Sequence, residues 1–363
     1  MSSPPQTLRL HLFGFPIAHS AAPAFHNECF KHLGLPHRFA LWSTSTINQE
    51  MLDEMRSDGF GGAAITMPLK TDILQHLDEL TPAATVTKAC NTIIKVKEHD
   101  GSYKLVGTNT DVLGVRNSLL RTLRVQHPER SLSIVQKFRR DAGSALVIGG
   151  GATTRSAVYA LMTLGLSPIF LINRDEKEVR LVIESFKFMG TEEPELIHLR
   201  SLEDIDRYLG NGSTKGEKPE LAIVVGAIPA IAPVTYAERL VYTMVVHILS
   251  IPRLASMAEQ DSNENLPLPT RRIFLDMAYK PRLTPMRRIA SALGWEDVGG
   301  VQAMIEQGLA QQRMWKECVY TDKVASGDSL SEYVEQMARR LVEEMDDVNP
   351  VGAEVDRSCL ELS

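Results

Sequence analysis

The stretch Ser144–Leu164, SALVIGGGATTRSAVYALMTL, decides the fold. Ala145-Leu146-Val147-Ile148 is a short apolar run with β-branched members, Gly149-Gly150-Gly151 permits a tight turn, and Ala157, Ala160, Leu161 and Leu164 recur at helical spacing. That order predicts a strand, a glycine turn and a helix. Gly149 and Gly151 let backbone approach a diphosphate, and the helix N-terminus at Ala152 and Thr153 offers unpaired N–H groups and the positive end of a dipole. Thr154 stands where such loops carry a third glycine, and glycine turns of this kind also occur as plain turns. The next segment supplies the βαβ context the motif requires. Leu164-Gly165 closes the helix, Pro168–Ile172 reads as a second buried strand, and Asn173-Arg174-Asp175 follows at its carboxyl end.

At 363 residues the chain is long enough for two domains, each with a core of its own. Its 44% hydrophobic and 23% charged residues describe an ordinary globular composition. The net charge of −6 is spread along the chain, which speaks against nucleic acid or an anionic membrane as partner. Cys29, Cys90, Cys318 and Cys359 lie far apart without CxxC spacing, so reduced thiols in a cytoplasmic protein are expected, not a metal site or a disulfide frame. No run approaches the ~18 apolar residues of a membrane span.

Upstream, residues 8–14 alternate into a glycine and predict a first strand. A helix follows over 24–30 with Phe25, Cys29 and Phe30 inward, then a strand over 39–42, an amphipathic helix over 47–55, and a strand from Gly61 that runs into Pro68 and presents Lys70 at its end. Asp100-Gly101 marks a hairpin, and Asp111 opens the helix leading into the dinucleotide half. Polar residues gather at strand ends, where open α/β sheets keep their ligand crevice, so Ser20, Thr66, Lys70, Asn91 and Asp111 can line one cleft. Singly each has a plainer reading: Asp111 as a helix N-cap, Asn91 as a turn former, Lys70 as a solvated charge.

In combination, Gly14-x-Pro16-Ile17-x-His19-Ser20, Thr66-x-Pro68-x-Lys70, Ala89-x-Asn91-Thr92 and Asn109-Thr110-Asp111, in that order before the glycine loop, resemble the shikimate and quinate 5-dehydrogenase family. The resemblance continues through Asp276-Met277-Ala278-Tyr279-Lys280-Pro281 with Thr284-Pro285, and through Gly300-x-x-x-Met304-x-x-Gln307-Gly308. It implies Lys70 and Asp111 as the catalytic pair and Ser20, Ala22, Thr66, Asn91, Tyr279 and Gln307 as the residues around a polyol carboxylate such as quinate or shikimate. It further implies cofactor contacts from Gly149, Gly150, Gly151, Ala152, Thr153, Asn173, Arg174, Asp175, Met277 and Gly300, with no metal. The implied architecture is α/β and two-domain. Residues 1–112 with 303–346 would form the substrate-binding domain, 113–302 a Rossmann-type doubly wound dinucleotide-binding domain, and 347–363 a flexible tail. A monomer or homodimer is expected.

Oxidising a secondary ring alcohol needs a group that takes the hydroxyl proton as the hydride leaves. A lysine does this when burial and dipoles lower its pKa towards neutrality, and a carboxylate can hold both lysine and hydroxyl. Lys70 is therefore the expected general base in oxidation and general acid in reduction, with Asp111 orienting it.

Two departures from the family pattern carry specificity. Ala22 replaces a second serine, which removes a donor beside C1 and leaves room for the C1 hydroxyl of quinate. Asp175-Glu176 follows Arg174 where NADP-dependent members have a threonine and a basic residue; a carboxylate accepts from ribose hydroxyls and repels a 2′-phosphate, so NAD is expected over NADP. Asp175 as a mere cap of the helix Glu176–Phe186 is the plainer alternative. Ala64, Val112 and the segment Val224–Pro229 also depart, in the manner of the fungal quinate-catabolic branch.

The leading expectation is thus an NAD-dependent quinate dehydrogenase that also takes shikimate. An NADP-dependent shikimate dehydrogenase and a non-catalytic ligand sensor are the alternatives. A serine–histidine nucleophile built on Ser20 with His19 or His26 lacks an acid and an oxyanion motif. Segments 124–143, 210–220 and 259–266 read as polar surface loops, and a last helix within 329–344 is expected to bury Leu330, Tyr333, Met337 and Leu341.

Overall fold

The structure, a computed structural model, describes residues 6–18, 20–133, 135–139, 142–187, 189, 194–210, 220–253, 264–327 and 329–344. His19 and the expected tail 347–363 lie outside the described residues. The first half runs β1 (Arg9–Gly14), α1 (Ala22–His32), β2 (Arg38–Ser43), α2 (Gln49–Arg56), β3 (Phe60–Ile65), β4 (Glu79–Leu80), α3 (Pro82–Thr87), β5 (Thr92–Lys97), β6 (Tyr103–Thr108) and α4 (Asp111–Gln126). The second continues with β7 (Gly143–Ile148), α5 (Ala152–Thr163), β8 (Ile169–Ile172), α6 (Glu176–Phe186), β9 (Leu196–His198), α7 (Leu202–Leu209), β10 (Glu220–Gly226), α8 (Tyr236–Ser250), β11 (Ile273–Asp276), α9 (Pro285–Ala292) and β12 (Glu296–Gly299). The chain ends in α10 (Gly300–Glu317), α11 (Asp322–Ala325) and α12 (Glu332–Glu344).

These elements build two six-stranded sheets. In β2-β1-β3-β5-β6-β4, β5 runs antiparallel to β3 and β6 while the other pairs are parallel. The second sheet, β12-β11-β10-β7-β8-β9, is parallel throughout and reverses direction of progression between β7 and β10. That is the doubly wound order, whose ligand crevice opens at the reversal. β7 is buried at every position because helices cover both faces, α4, α5 and α6 on one and α7, α8 and α9 on the other. β1 departs from the expected alternation for the same reason. Leu10 and Leu12 pack with Phe30 of α1 and Met314 of α10, and Phe13 packs with Met51 and Met55 of α2.

The chain therefore returns to its first sheet at the end. The α10 indole of Trp315 donates Nε1–H to the β5 carbonyl of Ile93 at 3.0 Å. In α12 the buried face is Val334, Ala338 and Val342; of the expected Leu330, Tyr333, Met337 and Leu341, Leu330 just before the helix is buried with them while the other three are not, and Tyr333 is 63% exposed. Both stripes share one period, so spacing alone does not choose between them. The smaller residues pack at the seam with Phe25 and Cys29 of α1 and Ile305 and Leu309 of α10. The segment 124–143 is also less superficial than expected. α4 extends into it, Leu132 and Phe138 join the core of the second half, and Phe138 bridges Leu266 from the other polar loop. Among the described residues no helix is long and apolar enough to cross a membrane.

α4 and α10 cross closely at Gly114, where an added Cβ would stand 2.6 Å from the Ala303 carbonyl oxygen and 3.3 Å from the Gln307 Cβ. Neither helix backbone can yield to it without moving its sheet. Gly114→Ala should therefore lower stability by roughly 1–3 kcal/mol, read from the urea unfolding midpoint; an unchanged midpoint would mean the crossing is looser than described.

Candidate active site

At the carboxyl end of β3 the chain turns through Thr66 and Pro68 and presents Lys70, whose carbonyl oxygen accepts from Cys90 N–H at 2.8 Å. Because β5 is antiparallel, its start rather than its end lies on this edge, so Asn91 faces the same space. β6 delivers Asn109-Thr110-Asp111 there, and α4 opens with Asp111. The result is a cavity of about 390 Å³ between the two sheets. Ser20, Ala22, Thr66, Lys70, Asn91, Asp111, Tyr279 and Gln307 all line it, and so do Thr153, Met277 and Gly300 from the second half. Gly149, Gly150, Gly151, Ala152, Asn173, Arg174 and Asp175 stand outside it, along the edge of the second sheet.

Lys70 Nζ lies 2.6 Å from Asp111 Oδ2, with the two side chains 18% and 16% exposed. Asp111 Oδ1 accepts from Asn91 Nδ2 at 2.8 Å, so both carboxylate oxygens are anchored. Asp111 occupies the first turn of α4, where the helix dipole favours a negative charge. Its side chain does not cap the helix, and Lys70 is not a solvated charge. Asn91 is the hub of the cluster. Its Oδ1 accepts from Thr92 Oγ1 at 2.7 Å and from Thr110 N–H at 2.7 Å, and its Nδ2 also points to Gln307 Oε1 at 3.4 Å. Buried polar groups hold a unique geometry when each finds a partner, and this network is closed in that way on its protein side.

Sequence reasoning missed Gln311 and Thr110. Gln311 Nε2 donates to Thr92 Oγ1 at 2.9 Å and to the Asn91 carbonyl at 3.3 Å, and it lines the cavity. Its spacing of one helical turn from Gln307 was the available signal. His26 is buried against Gln312, and burial pushes its imidazole down to about 3, so it stays neutral. Among the described residues no group of three or more His, Cys, Asp or Glu side chains can hold a metal ion.

The glycine loop has the features a dinucleotide diphosphate needs. Gly149 adopts φ +142, a conformation that L side chains rarely take, and a Cβ there would meet the Ala227 carbonyl of the β10 edge at 2.7 Å. Gly151 has open space where a Cβ would point and caps α5 without a side-chain hydrogen bond, which leaves first-turn N–H groups for an anion. Thr154 Oγ1 is buried without a partner beside them. Asp175 does cap α6, accepting from Lys177 N–H at 2.8 Å through Oδ1. Two carboxylates not anticipated from sequence stand close by. Glu178 Oε2 accepts from Asn173 Nδ2 at 2.5 Å, and Glu238 Oε1 pairs with Arg174 Nη1 at 2.5 Å. Glu238 belongs to a capping box with Thr235 at the start of α8, and the backbone N–H groups of Thr235 and Val234 hold its carboxyl down at about 2.

Comparison with known proteins gives the following. Residues 12–93 match the family described as shikimate dehydrogenase substrate binding domain. Among solved structures, the dehydroquinate dehydratase and shikimate dehydrogenase protein of S. pombe is 28% identical with a TM-score of 0.67, over 93% of this chain and 53% of that one. The chain thus spans about half the length of that relative. A shikimate 5-dehydrogenase from Thermus thermophilus, in complex with shikimate, is 25% identical with a TM-score of 0.56, over 93% and 99% of the two chains. A quinate dehydrogenase from Corynebacterium glutamicum, in complex with NAD, shares the fold with a TM-score of 0.61 at 20% identity, over 94% and 100%.

Asp276 closes β11 and shapes the turn that carries Met277 and Tyr279 into the cavity. Its Oδ2 accepts from Thr284 Oγ1 at 2.5 Å and its Oδ1 from Ala278 N–H at 3.2 Å. Burial pushes this carboxyl up to about 6, with those hydrogen bonds opposing the shift. A raised acid favours the folded state below its unfolded pKa and loses that contribution as pH rises through the folded value. Asp276→Asn should remove this loss: measured against the parent, the variant should gain on the order of 2–3 kcal/mol between acid and neutral pH in urea unfolding. A constant difference across that range would assign the titration elsewhere.

Proposed function

Because residues 12–93 match the shikimate dehydrogenase substrate binding domain and the fold is shared with shikimate and quinate dehydrogenases, we propose that the chain is a member of that family of NAD(P)-dependent oxidoreductases and oxidises the ring secondary alcohol of quinate, and of shikimate, by hydride transfer to NAD. The observation that carries this reading is the Lys70–Asp111 pair, 2.6 Å apart in a cavity that both sheets line. Residues 1–112 with 303–346 act as the substrate domain and 113–302 as the dinucleotide domain.

When bound, the nicotinamide supplies the hydride acceptor. Lys70 takes the hydroxyl proton at Nζ during oxidation and returns it during reduction. Asp111 keeps Nζ aimed at the hydroxyl, since its second oxygen is held by Asn91. Ser20, Thr66, Tyr279 and Gln307 hold the carboxylate and ring hydroxyls from the surrounding walls. The loop Gly149–Gly151 and the start of α5 take the diphosphate. Ala22, at the first turn of α1, presents only a methyl group to the cavity, which favours the bulkier, C1-hydroxylated ring of quinate.

Charge at the far end of the cofactor groove supports NAD. Arg174, the cation that could hold a 2′-phosphate, is neutralised by Glu238, and Asp175 and Glu178 add negative charge around Asn173. Asp175 retains a second carboxylate oxygen for a ribose hydroxyl while the first caps α6.

Initial rates with quinate or shikimate, each with NAD or NADP, test the reading. Quinate with NAD is expected to be the best pair, and Lys70→Ala should lower kcat by a factor on the order of 10²–10⁴. Shikimate with NADP as the best pair would refute both specificity arguments, and ligand binding without turnover in any combination would make the protein a sensor. Releasing Arg174 should alter the choice of cofactor. Glu238→Gln is expected to raise the NADP-to-NAD ratio of kcat/KM by about tenfold, equivalent to about 1.4 kcal/mol, and Arg174→Ala in that background should cancel the gain. A ratio unmoved by Glu238→Gln would leave Arg174 without a part in cofactor choice.

A further inference from the structure

The first half of the chain reaches into the second through α3. Ala83 and Val86 pack against the core on the α5 side of the second sheet, and the helix ends at Thr87 beside α5. The Thr87 carbonyl, one of those that a helix end leaves open, accepts from Arg155 Nε of α5 at 2.5 Å. Arg155 is half-buried, burial lowers its pKa, and no carboxylate among the described residues pairs with it. Taking a cation out of water without a counter-ion costs free energy, so an apolar side chain of similar length would join the two helices more stably. Stability alone does not account for an arginine here.

Thr87 is the point to which both Lys70 and Asp111 are referred. Downstream of it, Lys88 takes φ +50 and ψ +39 and donates its N–H to the Ala84 carbonyl, a left-handed turn that fixes the path from Thr87 to Asn91. Along that path Cys90 N–H bonds the Lys70 carbonyl at 2.8 Å, and Asn91 Nδ2 bonds Asp111 Oδ1 at 2.8 Å. From the side, Asn109 Nδ2 donates to Thr87 Oγ1 at 2.9 Å and to Ser156 Oγ of α5 at 3.0 Å, while Asn109 Oδ1 accepts from Asp111 N–H at 3.2 Å. Arg155 and Ser156 are adjacent on α5, so this one helix holds Thr87 by its carbonyl and, through Asn109, by its hydroxyl.

We propose that Arg155 is a positioning residue: by holding the Thr87 carbonyl it keeps α5, and a dinucleotide seated at the start of that helix, in register with Lys70 and Asp111. The inference rests on the dehydrogenase reading above. Arg155 is not among the residues that line the catalytic cavity, so it acts through the turn it holds and not on the substrate. In hydride transfer the acceptor comes with one half of the chain and the proton-taking group with the other. When their register slips, each ligand keeps its own contacts, and an error of about 1 Å between the halves costs rate and spares binding.

Steady-state rates of the full chain with quinate or shikimate and NAD, together with calorimetric Kd values for each ligand alone, test it. Arg155→Met is expected to lower kcat by roughly ten- to a hundredfold while the Kd values of polyol and NAD stay within about twofold of the parent's. Arg155→Lys, which keeps a donor and the charge, should recover most of that loss. In a Lys70→Ala background Arg155→Met should cost nothing further, because the group it helps to place is gone. Should the methionine variant not fold, Arg155→Gln, whose amide ends short of Thr87, supplies the same readout. An unchanged kcat in these variants of an active parent would overturn the inference. So would a NAD Kd raised about tenfold at unchanged kcat, which would make Arg155 a ligand of the diphosphate, and so would a full further loss in the Lys70→Ala background. A parent that turns over neither polyol would overturn the dehydrogenase reading and this inference with it, whereas the other outcomes leave that reading standing.

Discussion

The crossing of α4 over α10 at Gly114 is the constraint on which the arrangement of the two sheets rests. α4 packs its Val115, Leu119 and Leu123 under the second sheet, while Leu113 from the same helix joins the core of the first. α10 begins at the edge of the second sheet with Gly300 and ends with Trp315 bonded to the first. Each helix therefore serves both halves, and a side chain at position 114 would hold the helices apart at the level of Gln307. Asn109 adds a polar tie by donating to Ser156 of α5 and Thr87 of α3 at 3.0 and 2.9 Å.

The cluster around Asn91 depends on that crossing. Asp111 and Thr110 come from the start of α4, Gln307 and Gln311 from α10, Asn91 and Thr92 from β5, and Lys70 from the turn after β3. No single element could hold this set, because one helix face or one strand end presents at most a few polar groups to a point. The cost of burying them is offset by mutual hydrogen bonds, which also restrict each side chain to one rotamer. A lysine restrained in this way is aimed before any substrate arrives.

The same chain places its charges differently along the cofactor groove. On the side of Lys70 and Asp111 the donors are backbone N–H groups of α5, whose geometry and dipole suit an anion. At the other end, carboxylates of Asp175, Glu178 and Glu238 surround Asn173 and Arg174. Glu238 is held charged by its capping box, so its partnership with Arg174 persists through the neutral range. A helix cap thereby becomes part of the electrostatics of the binding groove.

Much of this was legible along the chain. The strand, turn and helix around Gly149–Gly151, the hairpin at Asp100-Gly101 and the bounds of α6 follow from local patterns of apolar spacing and turn chemistry, and the ordered motifs brought Ser20, Thr66, Lys70, Asn91, Asp111, Tyr279 and Gln307 together as one set before any geometry was known. What required the tertiary structure were relations between residues far apart: Glu238 on Arg174, Gln311 on Asn91, Phe138 against Leu266, and the buried face of α12. The physical reason is common to all of them. Local sequence sets the period of an element and the chemistry of its ends, whereas the choice between two stripes of equal period, or of a partner for a charge, is made by the surface that element meets after the chain has folded back.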